Sequence, residues 1–369
     1  MTIGVLKEGD GENRVVLLPE HVAILVKKEL KVMVEKGAGE SAFASDKSYT
    51  EAGASLHNRA EILKDAEILF SINAPSETIP KGKILISILG PLANKPLVDR
   101  LANAGVTSHS LDMIPRSTRA QSVDVLSSMA TVAGYKSVLV AAGTLPGFFP
   151  MFMSASGTIK PSRVLILGAG VAGLQALATA RKLGAVVEVF DVRAAVKEEV
   201  MSLGGKFVEV EGAKDDAAAG GYAVEQTEEY KEKQAELIQQ HARQADVVIS
   251  TAQIPGRKAP VLITKETVAE MKPGSVIIDL AASTGGNCEV TKNDETIVVG
   301  GVTIIGNSNL ASTVPSDASK MLGNNFLNFL NLMIGEDGKI NPGVEDEIVR
   351  STCITRDGQI VNERVKGNQ

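Results

Sequence analysis

The stretch VLILGAGVAGLQALATARKLGAVVEVFDVR, residues 164–193, decides the fold. It begins with an apolar run typical of a buried strand and continues into a helical pattern. Between the two, Gly168, Gly170 and Gly173 have the spacing G-x-G-x-x-G. A second apolar run ends in Asp191. The order of these features predicts a strand, a tight turn, a helix and a second, parallel strand.

Each position of this motif has a mechanical reason. Gly168 permits the tight turn, Gly170 lets the backbone approach a pyrophosphate, and Gly173 lets helix and strand pack closely. The helix is expected to begin at Val171, so that its free N–H groups meet the phosphates. Asp191 stands where an acid accepts hydrogen bonds from the adenosine ribose. The motif therefore predicts a dinucleotide-binding site, the alternative being a structural turn of chance composition.

The triplet Asp191, Val192 and Arg193 bears on the choice of cofactor. A carboxylate at position 191 would repel the 2′-phosphate of NADP, which favours NAD(H). Arg193 keeps the alternative open, because an arginine near the ribose accommodates that phosphate. We expect NAD(H) to be the cofactor of this chain.

Composition excludes several classes of protein. The 369 residues are enough for two domains, and 44% hydrophobic with 22% charged residues is ordinary globular usage. Aromatic residues reach only 4%, Trp is absent and the net charge is −6, so a nucleic-acid partner is not expected. Two cysteines and four histidines without ligand spacing predict free thiols and no metal site.

Short β-branched runs alternate with helical patterns in both halves of the chain. This alternation predicts an α/β protein of two domains, each a mainly parallel sheet with flanking helices, the second being a Rossmann dinucleotide-binding fold. A helix over about 316–334 follows the second series of strands and would return to the first domain. We therefore expect a discontinuous first domain, 1–127 with 311–369, and a second domain over 128–310. The second includes a connecting helix from about Arg119 to Ala142.

Two further expectations concern loops and membranes. The stretch LPGFFPMFMSASG, residues 145–157, is predicted to be a packed loop. No window approaches the roughly 20 apolar residues of a membrane span, and the nearest, Phe326–Ile334, is short and interrupted by asparagines. The N-terminus has no apolar region of a secretory signal. We expect a soluble chain.

A set of polar residues precedes and opens the connecting helix. Gln121, Asp124 and Ser127 are three residues apart and would share one face of a largely buried helix, with Arg116 near its start. Buried polar groups need partners, which an inter-domain hydrogen-bond network would supply. The alternative is a polar wall of a ligand cleft that faces the nicotinamide.

A second polar stretch is DDAAAGGY, which ends at Tyr222. It is either a flexible surface loop or a mobile lid that closes the tyrosine over a bound nucleotide. The charged run after it, from Glu225 to Arg243, is predicted to be a solvated helix.

Five separated motifs in a fixed order resemble one family over essentially the whole chain. They are KEGDGENRVVLLPEHV, RAQSVDVLSSMATVAGY, LGAGVAGLQALATARKLGA, DVRAAVKEEVMSLGGKFVEV and TAQIPGRKAPVLIT. They are similar to the NAD(H)-binding domain I of the alpha subunit of proton-translocating NAD(P) transhydrogenase, and alanine dehydrogenase is a related family. The resemblance implies direct hydride transfer between NAD(H) on this chain and NADP(H) on a beta subunit, coupled to proton movement by membrane partners.

The resemblance also implies roles for residues. The family's Arg-Gln-Asp loop falls on Arg116, Gln121 and Asp124 with Ser127 beside them, and its mobile-loop tyrosine falls on Tyr222. These five are our catalytic candidates. The cofactor candidates implied in the same way or by the glycine motif are Gly168, Gly170, Val171, Gly173, Asp191, Val192, Arg193, Gly221, Thr251, Ala252 and Gln253.

Two departures separate this chain from alanine dehydrogenase. The substrate-binding Lys of that family is matched by Asn73, and its catalytic His is replaced near Gly90, whereas its carboxylate-binding Arg has a match at Arg14. Without that Lys and His, amino-acid oxidation lacks acid–base groups. Hydride exchange between two nicotinamides needs no proton transfer, and positioning suffices. A non-catalytic NAD-sensing module is the alternative from another class.

The resemblance further implies an assembly. It predicts a homodimer, an NADP(H)-binding beta subunit and a separate membrane-spanning alpha partner. The chain would then lie on the cytoplasmic side, peripheral to a bacterial inner membrane through these partners. Because the chain ends at Gln369 without membrane helices, we expect the split type of subunit, although a truncated chain would have the same sequence.

Overall fold

The computed structural model describes residues 1–210, 228–254, 256–334, 340 and 346–367. Contacts between residues divide the chain into two units. The first unit comprises Met1–Met129 and Ala311–Gln369, and the second comprises Ala130–Leu310.

The elements of the first unit are numbered in chain order over the whole chain. Its strands are β1 (Thr2–Val5), β2 (Lys31–Glu35), β3 (Ser55–His57), β4 (Ile68–Phe70), β5 (Ile84–Ser87), β6 (Thr107–Ser110), β16 (Cys353–Arg356) and β17 (Gln359–Ile360). Its helices are α1 (Pro19–Lys27), α2 (Asp46–Glu51), α3 (Arg59–Asp65), α4 (Lys95–Asn103), α10 (Pro315–Met333), α11 (Glu347–Thr352) and α12 (Glu363–Lys366).

The first sheet has the order β17-β16-β6-β5-β4-β1-β2-β3. The strands from β6 to β3 run parallel, and β16 and β17 add an antiparallel edge. Helices flank this sheet, which explains why β1, β4 and β5 are almost continuously apolar.

The C-terminal segment completes the first unit. Helix α10 buries Leu322, Phe326, Phe329 and Leu330 in the same apolar cluster as residues of β1 and β4. The ring of Phe326 meets that of Phe70 edge-on at a centroid distance of 5.4 Å. The helix spans the residues that the apolar periodicity predicts to within one position at each end.

The second unit holds the dinucleotide motif. Its strands are β7 (Phe152–Ser154), β8 (Gly157–Ile159), β9 (Arg163–Leu167), β10 (Val186–Phe190), β11 (Lys206–Phe207), β12 (Val247–Ser250), β13 (Val276–Asp279), β14 (Thr296–Val299) and β15 (Val302–Ile305). Its helices are α6 (Val171–Lys182), α7 (Lys197–Ser202), α8 (Glu228–Gln244) and α9 (Lys265–Glu270). Helix α5 (Val125–Thr144) begins in the first unit and continues into the second.

The second sheet has the order β11-β10-β9-β12-β13-β15-β14. Strands β11 to β15 in this order are parallel, and β14 is an antiparallel edge. The strand order reverses between β9 and β12, which follow opposite directions of winding from the middle of the sheet. The prediction of two mainly parallel sheets, the second of Rossmann type, is confirmed.

The prediction of one α-helix from Arg119 to Ala142 is wrong at its start. Residues Thr118–Val123 form a 3-10 helix, the backbone at Asp124 is extended, and only then does α5 begin. An aspartate that caps the following helix interrupts the helical hydrogen bonding here, because its side chain competes for backbone N–H groups.

Two other predictions are corrected. Residues 145–157 are not a packed loop, because they contain β7 of an exposed two-stranded hairpin with β8. Helix α5 is long and apolar enough to cross a membrane by length and composition alone, although no window was expected to be. The core helix of a soluble protein passes the same test, and the small residues of α5 suit close helix packing: a Cβ atom on Gly134 would lie 2.2 Å from the carbonyl oxygen of Ala172.

Candidate functional site

The turn after β9 has the geometry that its glycines predict. Gly168 has φ +105°, in the region that favours glycine, and a Cβ atom there would lie 2.5 Å from Thr251 Oγ1. A Cβ atom on Gly173 would lie 1.8 Å from the carbonyl oxygen of Gly168. Both positions therefore require glycine for the chain to pass from strand to helix.

Gly170 differs from these two glycines. It precedes α6 with extended backbone, and a Cβ atom on it would meet nothing within 4 Å. Packing of the protein itself therefore does not require glycine here, which leaves an open cradle in front of the helix. Val171, the first helical residue, is largely exposed, and the first-turn N–H groups of α6 have no acceptor within the helix.

Asp191 lies directly after β10, with its side chain buried. Its Oδ2 accepts a hydrogen bond from Ala169 N at 2.7 Å, which ties the acid to the glycine turn. Arg193 forms a fork on the same carboxylate through Nε at 2.9 Å and Nη2 at 2.8 Å. This hydrogen bonding raises the pKa of Arg193. Val192 between them packs against the sheet.

The predicted residues Thr251, Ala252 and Gln253 lie next to the glycine turn. They follow β12, which pairs with β9 so that Ser250 is opposite Leu167. Thr251 N donates to Leu167 O at 2.9 Å, and its hydroxyl lies 3.2 Å from Gly168 O. The side chain of Gln253 points its Nε2 at Leu280 O, at 2.7 Å. The loop 251–253 and the glycine turn thus leave the carboxyl ends of neighbouring strands.

This position is where open parallel sheets bind nucleotides. Ligands of such sheets lie outside the carboxyl ends of the strands, at the point where the strand order reverses. Here that point lies between β9 and β12, beside the open cradle at Gly170 and the acid at Asp191. The described residues of the second unit therefore fit a dinucleotide, with its pyrophosphate at the start of α6.

The polar set of the sequence analysis belongs to the first unit. Arg116 and Gln121 are exposed, so the prediction that this set lies on a buried helix face is wrong. Gln121 lies on the 3-10 helix, whereas Asp124 caps α5: its Oδ1 accepts from Ser127 N at 2.9 Å and its Oδ2 from Ser127 Oγ at 2.6 Å. The structure pairs Asp124 with Ser127 and shows a capping role for both.

The remaining site candidates, Gly221 and Tyr222, lie outside the described residues. The charged helix predicted after them is present as α8, with Lys233 Nζ 2.7 Å from Glu229 Oε1. Both cysteines are buried and free, as predicted, and burial raises the pKa of Cys288 to about 11. Among the residues that the structure describes, no group of His, Cys, Asp or Glu is arranged to hold a metal ion.

The residues that distinguish this chain from an amino-acid dehydrogenase lie in the first unit. Asn73 follows β4 and donates from Nδ2 to Glu8 Oε2 at 3.1 Å. A cavity of about 440 Å³ is lined by Asn73, Ala74, Ile88, Leu89, Asn94, Pro96, Leu97 and Arg100. Burial raises the pKa of Glu8 despite its backbone hydrogen bonds. Arg14 Nε donates to the buried Glu12 at 2.7 Å, so a carboxylate of the chain itself already accepts from this guanidinium.

Sequence reasoning missed one pair of residues that supports the candidate site. Asn287 forms hydrogen bonds with both the N–H and the C=O of Ala252, and Asp279 accepts from the N–H of Asn287. An acid at the end of the apolar run 276–279 was the available signal, but hydrogen bonds between distant loops leave no spacing in the sequence.

Taken together, the fold and the site define a two-unit α/β protein with a dinucleotide-binding second unit. Residues 4–133 match the family described as alanine dehydrogenase/PNT, N-terminal domain, and residues 137–363 match its C-terminal domain. The chain is 45% identical to the first of the separate chains of NAD(P) transhydrogenase subunit alpha of Rhodospirillum rubrum, covering 100% of this chain and 99% of the relative.

Solved structures agree with the sequence comparison. A transhydrogenase from Sinorhizobium meliloti has a TM-score of 0.89 at 40% identity, covering 98% of this chain and 100% of that one. An L-alanine dehydrogenase has a TM-score of 0.81 at 26% identity, covering 100% and 99%. The chain belongs to the alanine dehydrogenase/PNT family, an oxidoreductase family, and the resemblance stated from its motifs is confirmed.

Proposed function

We propose that this chain is the NAD(H)-binding component of a proton-translocating transhydrogenase. The observation that carries the proposal is the end-to-end match, at 45% identity, to a chain of a transhydrogenase alpha subunit. The open cradle at Gly170 and the buried acid at Asp191 support NAD(H) as the bound nucleotide. NADP(H) would bind to a partner subunit.

The nicotinamide ring supplies the hydride chemistry when the nucleotide is bound. The hydride passes with its electron pair from NADH to NADP⁺, which gives NAD⁺ and NADPH, and no proton is exchanged with the protein. This chain therefore has to bind and orient a nucleotide rather than supply an acid or a base. The N–H groups at the start of α6 would hold the pyrophosphate, and Asp191 would hold the adenosine ribose.

The polar set of the first unit would act on position. Gln121 is exposed and offers two donors and an acceptor without a charge, which suits contact with a ribose hydroxyl or a nicotinamide amide. Asp124 and Ser127 would fix the segment that carries it, through the cap of α5. Arg116 and Tyr222 would act mainly on nucleotide affinity and loop closure.

The decisive experiment mixes this chain with an NADP(H)-binding component. The chain alone should bind NADH with little turnover, and the mixture should transfer hydride from NADH to an NADP analogue. A mixture without transfer, although NADH binding is intact, contradicts the proposal and favours a non-catalytic NAD-sensing module. The NADP(H)-binding component alone is the control.

Alanine dehydrogenase activity is the second candidate, favoured by the close fold of the L-alanine dehydrogenase structure. Against it stand Asn73 and Gly90, which supply neither an ammonium group nor an imidazole, and the engagement of Arg14 by Glu12. We expect no reduction of NAD⁺ by L-alanine. Alanine-dependent formation of NADH by the purified chain would reverse this assignment.

We also propose that the chain is a homodimer in solution. The hairpin β7–β8 exposes Met151, Phe152 and Met153, the last at 72%, and residues 145–159 contain no charged side chain. A two-stranded hairpin is marginal alone, and exposed apolar patches of this kind mark interfaces. A second copy supplies an apolar, uncharged counterpart, and a symmetric dimer is the commonest assembly.

Sedimentation at micromolar concentration tests the dimer. The wild-type chain should sediment as a dimer, and Phe152→Asp with Met153→Asp should yield a folded monomer. Phe43→Asp, which changes another exposed aromatic residue, is the control and should leave the dimer intact. A wild-type monomer contradicts the proposal. Membrane-spanning partners and a peripheral position at the inner membrane follow from the proposed function alone.

A further inference from the structure

The loop 251–253 at the candidate nucleotide site is held from behind by one buried side chain. Asn287 is fully buried. Its Oδ1 accepts from Ala252 N at 3.0 Å, and its Nδ2 donates to Ala252 O at 2.9 Å. The same Nδ2 lies 2.8 Å from Pro260 O. The amide thus pairs with both peptide groups of one loop residue, as a neighbouring strand would.

A buried carboxylate fixes this amide in turn. Asp279 ends β13 and is fully buried. Its Oδ2 accepts from the backbone N–H groups of Asn287 at 2.8 Å and Cys288 at 3.0 Å and from the hydroxyl of Thr291 at 2.7 Å. Its Oδ1 accepts from Ala281 N at 3.0 Å. Charge-assisted hydrogen bonds of this kind are stronger than neutral ones, so the turn that carries Asn287 has a fixed position.

Glycine geometry brings the carboxylate and the amide together. Gly285 and Gly286 have φ +106° and +78°, and a Cβ atom on Gly286 would lie 2.9 Å from Asp279 Oδ2. The chain therefore folds tightly around the carboxylate and returns Asn287 to the level of the loop. The backbone C=O of Asn287 also accepts from the N–H groups of Leu262 and Ile263.

These contacts reach the nucleotide crevice through a short path. Ala252 follows Thr251, whose hydroxyl lies 3.2 Å from the carbonyl oxygen of Gly168 in the glycine turn. A shift of Ala252 would therefore move the wall of the crevice that faces the turn. A small displacement of reacting groups costs a large factor in rate, so a loop at this place has to be rigid.

We propose that Asn287 is a positioning residue for the nucleotide-binding loop 251–253, held in place by Asp279. Neither residue touches the nucleotide. Asn287 replaces the missing strand partner of Ala252 and sets the distance between this loop and the glycine turn. The role in nucleotide binding rests on the proposed function, whereas the anchoring of the loop does not.

The test uses the full-length chain with Asn287→Asp, which keeps the shape but removes the donor that binds the two carbonyl oxygens. Hydrogen exchange of the Ala252 amide without nucleotide should be slow in the wild type and at least about tenfold faster in the variant, the scale of one lost hydrogen bond. The dissociation constant for NADH should rise by about tenfold. Asn293→Asp, at an exposed asparagine nearby, is the matched control and should change neither.

Thr291→Val is the second variant, in case Asn287→Asp does not fold. It removes one hydrogen bond from Asp279 and leaves Asn287 unchanged, so we expect smaller changes of both quantities in the same direction. Unchanged exchange at Ala252 in the folded variants overturns the anchoring. Faster exchange with unchanged NADH affinity overturns the positioning role, while a wild-type chain that does not bind NADH at all overturns the proposed function instead.

Discussion

The carboxylate of Asp191 already accepts hydrogen bonds from Ala169 and Arg193 within the protein. Because one of them comes from the glycine turn, the acid joins the end of β10 to the loop after β9. The residue therefore combines a structural role with the proposed binding of the ribose. Measurements on its variants have to separate the two roles.

We expect Asp191→Asn to weaken NADH binding by about 1–3 kcal/mol, the scale of a charged hydrogen bond. Loss of the negative charge should also reduce the preference for NADH over NADPH, because the 2′-phosphate is no longer repelled. Equilibrium binding of both nucleotides checks this, with the exposed Asp65→Asn as a control of equal charge. An unchanged ratio of the two affinities would leave Asp191 with its structural role alone.

Gln121 is expected to affect the transfer step rather than binding. Gln121→Asn keeps the amide but withdraws it by one methylene group, and a small displacement can cost about 10²-fold in rate. Single-turnover transfer in the mixed components should be strongly slowed, while NADH affinity falls little. Gln359→Asn, at an exposed site in the same unit, should match the wild type. A wild-type rate for Gln121→Asn would remove the positioning role.

At the level of the element, the strand–turn–helix segment contains glycines with different tasks. Gly173 is required by the packing of α6 on the turn, whereas Gly170 has free space around it. A G-x-G-x-x-G pattern in the sequence does not distinguish these tasks. The structure does so because it shows which position faces protein atoms and which faces the crevice.

This difference predicts opposite effects of one added methyl group. Gly173→Ala should lower the melting temperature by several degrees, since overpacking costs about 1–3 kcal/mol or more. Gly170→Ala should leave the melting temperature nearly unchanged but raise the dissociation constant for NADH about tenfold or more, because the methyl group occupies the proposed path of the pyrophosphate. Thermal unfolding by circular dichroism and NADH titration measure the two effects. Equal loss of stability in both variants would contradict the distinction.

Another element joins the two polar functions of the first unit. Helix α10 donates from Asn325 Nδ2 and Asn328 Nδ2 to the carbonyl oxygen of Ser122, at 2.9 and 3.1 Å. The 3-10 helix that carries Gln121 is thereby held by a helix almost two hundred residues away along the chain. The asparagines that interrupt the apolar run thus have a structural use that the sequence does not disclose.

At the scale of the whole molecule, the first unit depends on the C-terminal segment. Val15 N donates to Ser319 Oγ at 2.9 Å, and Asn13 N donates to Ser312 Oγ at 2.7 Å. Together with the apolar face of α10, these contacts complete the core of a unit whose two segments are separated by the second unit in sequence.

We therefore expect residues 130–310 to fold alone and residues 1–129 to remain unfolded. The first fragment keeps its sheet and both of its apolar clusters almost complete, whereas the second lacks the buried side chains of α10. Far-ultraviolet circular dichroism with thermal melting distinguishes the outcomes. Joining 1–129 to 311–369 with a short linker should restore cooperative unfolding. A stable fold of 1–129 alone would contradict the expected division.

The sequence by itself determined the sheets, the glycine turn, the acid after β10 and the family, because each depends on local spacing or on apolar periodicity. It did not reveal the break at Asp124, the exposed hairpin β7–β8 or the burial of Asp279 and Asn287. Those depend on competition between side chains and backbone, or on contacts between segments far apart in the chain. Only the tertiary structure decides such contacts, because the hydrogen bonds that satisfy a buried polar group come from wherever the fold places a partner.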